Sequence, residues 1–394
     1  MAEFANGKIE VYLGPKELNG PDDLESVICE FIAGAKSSLD VAVQEIDSMT
    51  IAEAIIDARW RGVSVEIFLE QDYLKRKLPA KPDPPPPDAE TEETAEEALR
   101  RVQWRPDELD LGRGATLARN RWILSAFLRN GIEVHGDFNP KIFHQKFVLR
   151  DFRRGAVRTT ALLSGSANFT DTDTHKNLNS VFVFNDADVA RQYRDEVAQL
   201  RRGSFGRGMH GDVPPTYDLG GVPVKTLFAP DHTPELEFMK QMLKVRDQGE
   251  ILFAIFTFAG SSGIDDTMLA LARGGVRIRG VVDPGQARQK WAVPQWLRHE
   301  NIELRVPRKD GELARLRKVH HKLMVIDDRI VVGGSFNYTQ PANDYNDENL
   351  FVIGSPHTEV EGINVEADPV RELALHVRAE LERIYDASEA FVPS

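Results

Sequence analysis

One cysteine, Cys29, is the whole thiol content of this 394-residue chain. No disulfide can form within it, which suits a reducing cytoplasm. Cys29 itself falls in the helical pattern Leu24, Val27, Ile28, Phe31, Ile32, as a buried structural thiol rather than a nucleophile. Long hydrophobic runs are missing as well. The best, such as Ile251 to Ala259, are strand-sized, so no transmembrane segment is expected. Met1 to Gly7 has no basic region leading into an apolar run, so no secretory leader is expected and the location reads as cytoplasmic. No H-E-x-x-H or C-x-x-C occurs, and the acidic run at 88–97 has no interspersed histidines, which argues against a metal. A phosphate loop is missing too: Gly206-Arg207-Gly208-Met209-His210-Gly211 follows no strand and lacks a lysine-serine ending. No cofactor is expected.

What is present is a duplication. His144-Gln145-Lys146-Phe147-Val148-Leu149-Arg150-Asp151 recurs in outline at His320-His321-Lys322-Leu323-Met324-Val325-Ile326-Asp327, two copies of H-x-K-x-x-x-x-D. Each is followed by a small-residue turn ending in asparagine, Gly165-Ser166-Ala167-Asn168 and Gly334-Ser335-Phe336-Asn337. Eleven residues beyond each asparagine stand Asn179 and Glu348, a matched pair of polar acceptors.

The repeat extends outward from the motifs. Val11 to Pro15 resembles Thr226 to Pro230, and helical patterns follow at Pro21 to Ala35 and Thr233 to Val245. Apolar strands at Leu39 to Val43 and Ile251 to Phe256 come next, then strands at Val65 to Leu69 and Ile278 to Val282 that end at Glu70 and Asp283. Helical patterns at Ala118 to Asn130 and Gln286 to Glu300 lead to Ile132-Glu133-Val134 and Ile302-Glu303-Leu304, with a break expected at Pro294. Strands alternating with helices predict an α/β architecture of two pseudo-twofold-related halves, each a mixed sheet flanked by helices, with the site in a central cleft. The expected division is 1–200, a linker at 201–222 and 223–394. The first half carries an insertion at about 75–114, proline-rich and then acidic, which reads as a solvated segment or as an acidic flap over the cleft.

In a strand, residues i and i+2 share a face, so His144 points with Lys146 and His320 with Lys322. A lysine on a buried strand face needs an anion to meet it. Ammonium and asparagine amide suit non-bridging phosphate oxygens, while imidazole attacks or donates a proton. Two such sets place a histidine on each side of a phosphorus. The net charge of −13 argues against whole-surface attraction to nucleic acid or anionic membrane. Local arginines tell otherwise: Arg153 and Arg154 follow the first motif, and Arg315, Arg317 and Lys318 precede the second. Taken singly they are solvated loop residues; their shared position reads as a basic, substrate-binding rim.

Duplicated H-x-K-x-x-x-x-D with trailing G-S-x-N resembles the phospholipase D superfamily, over roughly Lys8 to Tyr385 apart from the insertion. The resemblance implies a metal-independent phosphodiesterase working through a phosphohistidine. It implies His144 as nucleophile, oriented by Glu348, and His320 as general acid/base, oriented by Asn179. Lys146, Lys322, Asn168 and Asn337 would hold the phosphate oxygens, Ser166 and Ser335 would add hydrogen bonds, and Asp151 and Asp327 would be structural. Asn179 departs from the family pattern, where a carboxylate is found in some enzymes; a neutral amide suits a group that must give up its proton. The substrate expected from the basic rim is DNA or RNA, cleaved by an endonuclease. The alternative is a soluble phospholipase D or phosphatidyl transferase acting on phospholipid, for which Trp104, Trp122, Trp291 and Trp296 are candidate interfacial residues, with Trp122 and Trp296 in patterns that favour core packing. A non-enzymatic scaffold is the third class, disfavoured by the intact motifs.

Overall fold

The computed structural model describes residues 2–71, 115–137, 139–208, 210–356 and 368–393; the proline-rich, acidic insertion and Trp104 lie outside these. Eight strands build the first half: β1 (Ala2–Phe4), β2 (Ile9–Gly14), β3 (Ser38–Val43), β4 (Ser64–Leu69), β5 (Glu133–Gly136), β6 (Lys146–Arg150), β7 (Ala161–Gly165) and β8 (Asn177–Phe184). Ten follow in the second: β9 (Thr216–Leu219), β10 (Val222–Ala229), β11 (Glu250–Ile255), β12 (Arg277–Val282), β13 (Ile302–Pro307), β14 (Lys318–Val319), β15 (Lys322–Ile326), β16 (Ile330–Gly334), β17 (Glu348–Gly354) and β18 (Ser388–Ala390).

The first sheet runs β1-β2-β8-β7-β6-β3-β4-β5 and the second β18-β13-β12-β11-β15-β16-β17-β10-β9. In each, a parallel edge (β3-β4-β5; β11-β12-β13) adjoins an antiparallel one, so both sheets are mixed. Register repeats as well: Val43 lies opposite Lys146, and Ile255 opposite Lys322. The strands are almost wholly buried, so they read as continuous apolar runs rather than alternating ones.

The helices are α1 (Leu24–Ala33), α2 (Met49–Trp60), α3 (Ala115–Arg129), α4 (Asp171–His175), α5 (Ala187–Arg201), α6 (Pro234–Met242), α7 (Ile264–Arg273), α8 (Pro284–Ala287), α9 (Gln340–Asp344) and α10 (Pro369–Asp386). The outer clusters bury α1 and α2 on the first sheet and α6 and α7 on the second. A central cluster takes residues from both sheets and from α5 and α10, with Phe182 meeting Phe351 at 4.7 Å between ring centroids. That shared core makes the two halves one body.

Two expectations change. The helix expected over Gln286 to Glu300, with its break at Pro294, is shorter than expected: α8 already ends at Ala287, and Pro294 stands at the opening of a separate 3-10 turn at Val293–Gln295, where its missing N–H costs nothing. Within the stretch expected as linker, Arg201 closes α5 and β9 pairs with β10, so the second sheet starts before residue 222.

Candidate active site

Each histidine stands two residues ahead of the strand-opening lysine, and the shared face is realised as a hydrogen bond. Lys146 Nζ donates to His144 O and Lys322 Nζ to His320 O, both at 2.8 Å. The segments before the histidines cross to the other half. His144 N donates to Asp347 O, and β14 adds in parallel to β8 so that His320 N donates to Leu178 O. Carboxylates at the ends of β4 and β12 pin them: Glu70 accepts from Phe143 N at 2.6 Å, and Asp283 from Val319 N at 3.1 Å. This exchange carries each histidine to the eleventh position of the opposite repeat.

His144 Nδ1 meets Glu348 Oε2 at 2.6 Å, and that carboxylate also accepts from Ser335 Oγ at 2.6 Å and Asn346 Nδ2 at 3.2 Å. His320 Nδ1 meets Asn179 Oδ1 at 3.0 Å, where Ser166 Oγ donates at 2.7 Å. Both arrangements leave Nε2 as the reactive nitrogen. His144, His320, Asn168 and Asn337 line one cavity of about 690 Å³ between the halves. Asn337 Oδ1 accepts from Thr257 N at 3.3 Å, which leaves its amide N–H groups for a ligand.

Four buried basic groups meet here, each held below its ordinary value. Burial, with Lys146 and Lys322 beside it, pushes His144 down to about 4 against the opposing pull of Glu348. Burial, Lys322, Lys146 and Lys318 hold His320 well below its ordinary value. Burial pushes Lys146 down to about 8, and burial with Lys146 beside it drives Lys322 well below the ordinary lysine value. Burial is the first cause in all four, and for Lys322 and the two histidines neighbouring cations add to it, so one anion held between them would relieve the group together. A phosphodiester carries that charge.

The lysines have unlike neighbours. Lys146 Nζ also reaches Gln44 Oε1 at 3.3 Å, whereas at the equivalent place after β11 Lys322 lies over the Phe256 ring, 5.3 Å from its centroid.

Asp151 and Asp327 end β6 and β15, away from the cavity. Asp151 accepts from the backbone N–H groups of Lys36, Ser37 and Ser38, and Asp327 from those of Arg246 and Glu250. The basic rim is not assembled as expected. Arg317 and Lys318 line the cavity, whereas Arg154 and the exposed Arg315 do not. Arg153 ion-pairs with Asp40 at 2.5 Å and Glu66 at 3.3 Å, because β6 runs away from the cleft and carries its following loop to the far edge of the sheet. Four cavity residues had no sequence signal of their own: Glu45, Asp47, Asp173 and Phe256. Glu45 is pushed to about 7 and Asp47 to about 6, by burial first and then, among other neighbours, by the carboxylate of Asp173. Trp122 packs partly buried against the first-half core. Trp296 does not pack in the core: with the helix ended at Ala287 it is 48% exposed, its ring close enough to Gly260 that a Cβ there would lie 2.3 Å away.

A family model described as "Cardiolipin synthase, PLD-like domain" matches residues 28–201 and again 241–370. Mitochondrial cardiolipin hydrolase of Chlamydomonas reinhardtii is 27% identical over 201 residues, which is 43% of this chain and 85% of that protein. A phospholipase D of Rickettsia conorii is 27% identical over 137 residues, covering 34% of this chain and 64% of its own length. The fold matches the crystal structure of phosphatidylserine synthase from Haemophilus influenzae with a TM-score of 0.60 at 13% identity, over 98% of this chain and 87% of that one. With two motif-bearing halves, one shared cleft and a family match across both, the chain belongs to the phospholipase D superfamily.

Proposed function

We propose that the protein is a phospholipid phosphodiesterase, a hydrolase or phosphatidyl transferase of the phospholipase D kind. The observation that carries the lipid reading is an exposed apolar rim at the cleft. Ile142 and Trp291 line the cavity while each is 46% exposed; Trp296 and Tyr345 adjoin lining residues and are exposed as well. Indole and phenol rings at a cleft mouth suit the level of lipid head groups, and the exposed Lys141, over the Tyr345 ring at 4.7 Å, adds charge for an anionic surface. The curated relatives named as cardiolipin hydrolase and phospholipase D support the same class.

In the first step His144 Nε2 attacks phosphorus, a P–N bond forms, and the P–O bond to the leaving alcohol breaks as His320 supplies that oxygen with a proton. In the second, His320 takes a proton from water or an acceptor alcohol, whose oxygen displaces His144. Lys146, Lys322, Asn168 and Asn337 hold the non-bridging oxygens as charge grows on them. No metal enters the scheme, so turnover is expected to persist in a strong chelator.

A nucleic-acid diester is the second reading, favoured by Arg317 and Lys318 on the cavity wall. Glu45, Asp47 and Asp173 line the same cavity and oppose it, since a polyanion would run past three carboxylates. Parallel incubation with cardiolipin, phosphatidylglycerol and phosphatidylcholine vesicles, and with labelled DNA and RNA, tests the choice. Head-group release abolished in H144N is the expected result; nucleic-acid cleavage without head-group release would overturn it. Trp296→Ser should lower turnover on vesicles by about tenfold and leave a short-chain monomeric lipid unaffected.

A further inference from the structure

The two repeats align residue by residue between the asparagine turn and the eleventh position. Thr170 and Thr339 cap α4 and α9, their side-chain oxygens accepting from the N–H groups of Asp173 and Ala342. Asn177 and Asn346 stand two places before Asn179 and Glu348. In this register the first half has Asp173 and Asn179 where the second has Ala342 and Glu348. Each repeat brings one of its carboxylates within ion-pair distance of the opposite motif's histidine ring, Asp173 from one position and Glu348 from another.

We propose that Asp173 is the positioning carboxylate of His320, supplying from α4 the charge that Asn179 lacks. The proposal rests on the phosphodiesterase reading and assigns a further residue to the same site. Asp173 Oδ1 lies 3.6 Å from His320 Nδ1, and Asp173 is almost fully buried. Asn177 Nδ2 donates to Asp173 Oδ1 just as Asn346 Nδ2 donates to Glu348, so the partner of the carboxylate is kept although the carboxylate has moved. Asn179 is held in place by the same residue, its Nδ2 donating to Asp173 O at 2.9 Å. Asp173 Oδ2 accepts from Asn168 N at 2.8 Å, which ties this carboxylate to the phosphate-holding turn.

The position has a chemical consequence. His320 is faced by Lys322, Lys146, Lys318 and His144, all of which disfavour its imidazolium. Asp173 is the carboxylate within ion-pair distance of its ring. Glu348 grips His144 through a short direct bond, whereas Asp173 acts on His320 at longer range beside a neutral amide. Charge at that distance supports protonation without locking the proton in place, which suits a group that must release and regain it.

Two measurements on the full chain test this. Histidine-selective NMR titration should order the apparent pKa of His320 as N179D above wild type, wild type close to the double variant D173N/N179D, and D173N lowest, with shifts of about one unit. An unchanged His320 in D173N would overturn the proposal. In kinetics, D173N should slow phospholipid turnover by about 10–100-fold yet slow a p-nitrophenyl phosphodiester less than about threefold, because that leaving group needs no proton. Equal loss on both substrates would mean that Asp173 only scaffolds the Asn168 turn, and would also overturn it. Wild-type protein inactive on both would refute the phosphodiesterase reading, while the NMR ordering still decides the role of Asp173.

Discussion

The two halves share strand order, register and the hydrogen bond from lysine to histidine carbonyl, yet each histidine is backed differently. His144 has Glu348 in direct contact at 2.6 Å; His320 has a neutral amide at 3.0 Å and a carboxylate only at 3.6 Å. The lysines diverge in the same sense, Lys146 beside the Gln44 amide and Lys322 over the Phe256 ring. The duplicated scaffold fixes where the four groups stand, and the neighbours decide what each one does. A tightly backed imidazole suits attack on phosphorus; a loosely backed one suits proton traffic.

The sharpest way to break this comparison is to remove each histidine in turn. H144N should abolish turnover, by about 10⁴-fold or more, and with it any covalent adduct. H320N should slow phospholipid turnover by about 10²–10⁴-fold but still form the adduct from a p-nitrophenyl diester. Equal behaviour of the two variants on that activated substrate would erase the distinction. Next in size, E348Q should cost about 10–100-fold in kcat/KM, since an amide still orients His144 but no longer supports positive charge on it.

Strand and helix placement was readable from apolar periodicity and from the repeat, because the central strands of both sheets are buried on both faces and each repeat confirms the other. His144, Lys146, His320, Lys322 and the eleventh-position pair were readable as motif. Asp173 was not, because a carboxylate in a five-residue helix carries no pattern; the signal that finds it is its alignment with Ala342 alongside Asn179 with Glu348. Arg153 and Arg154 miss the cavity that Arg317 and Lys318 line, because charge near a motif in sequence says nothing about which end of the strand it reaches. Arg153 sits beyond the far end of β6, paired with Asp40 and Glu66. Trp296 escaped the core because the helix that periodicity continues to Glu300 ends at Ala287, and Trp296 closes a separate 3-10 turn instead.

The pH profile sharpens the lysine comparison. Lys146 is charged below about 8 and loses its proton above it, so kcat/KM should fall as pH rises through about 8. At the acid end His144 remains an unprotonated nucleophile down to about 4, and kcat/KM should fall only as pH drops through that value. F256Q gives Lys322 the amide that Gln44 gives Lys146 and leaves the Gln44 contact of Lys146 in place, so the alkaline fall should stay near pH 8; a fall that moves to higher pH would assign it to Lys322 instead. The smallest effect on chemistry is expected where the halves agree. D151A and D327A each leave partly buried backbone N–H groups without their acceptor and should cost about 1 kcal/mol in denaturant unfolding, with kcat/KM of the folded protein retained.

The most direct test of the account is an alkali-quenched single turnover with phosphorus-labelled phospholipid, followed by peptide mapping of the labelled chain at alkaline pH. Label on His144, alkali-stable and acid-labile, lost in H144N, is the predicted result. Label on His320, or full turnover with no covalent label at all, would contradict it.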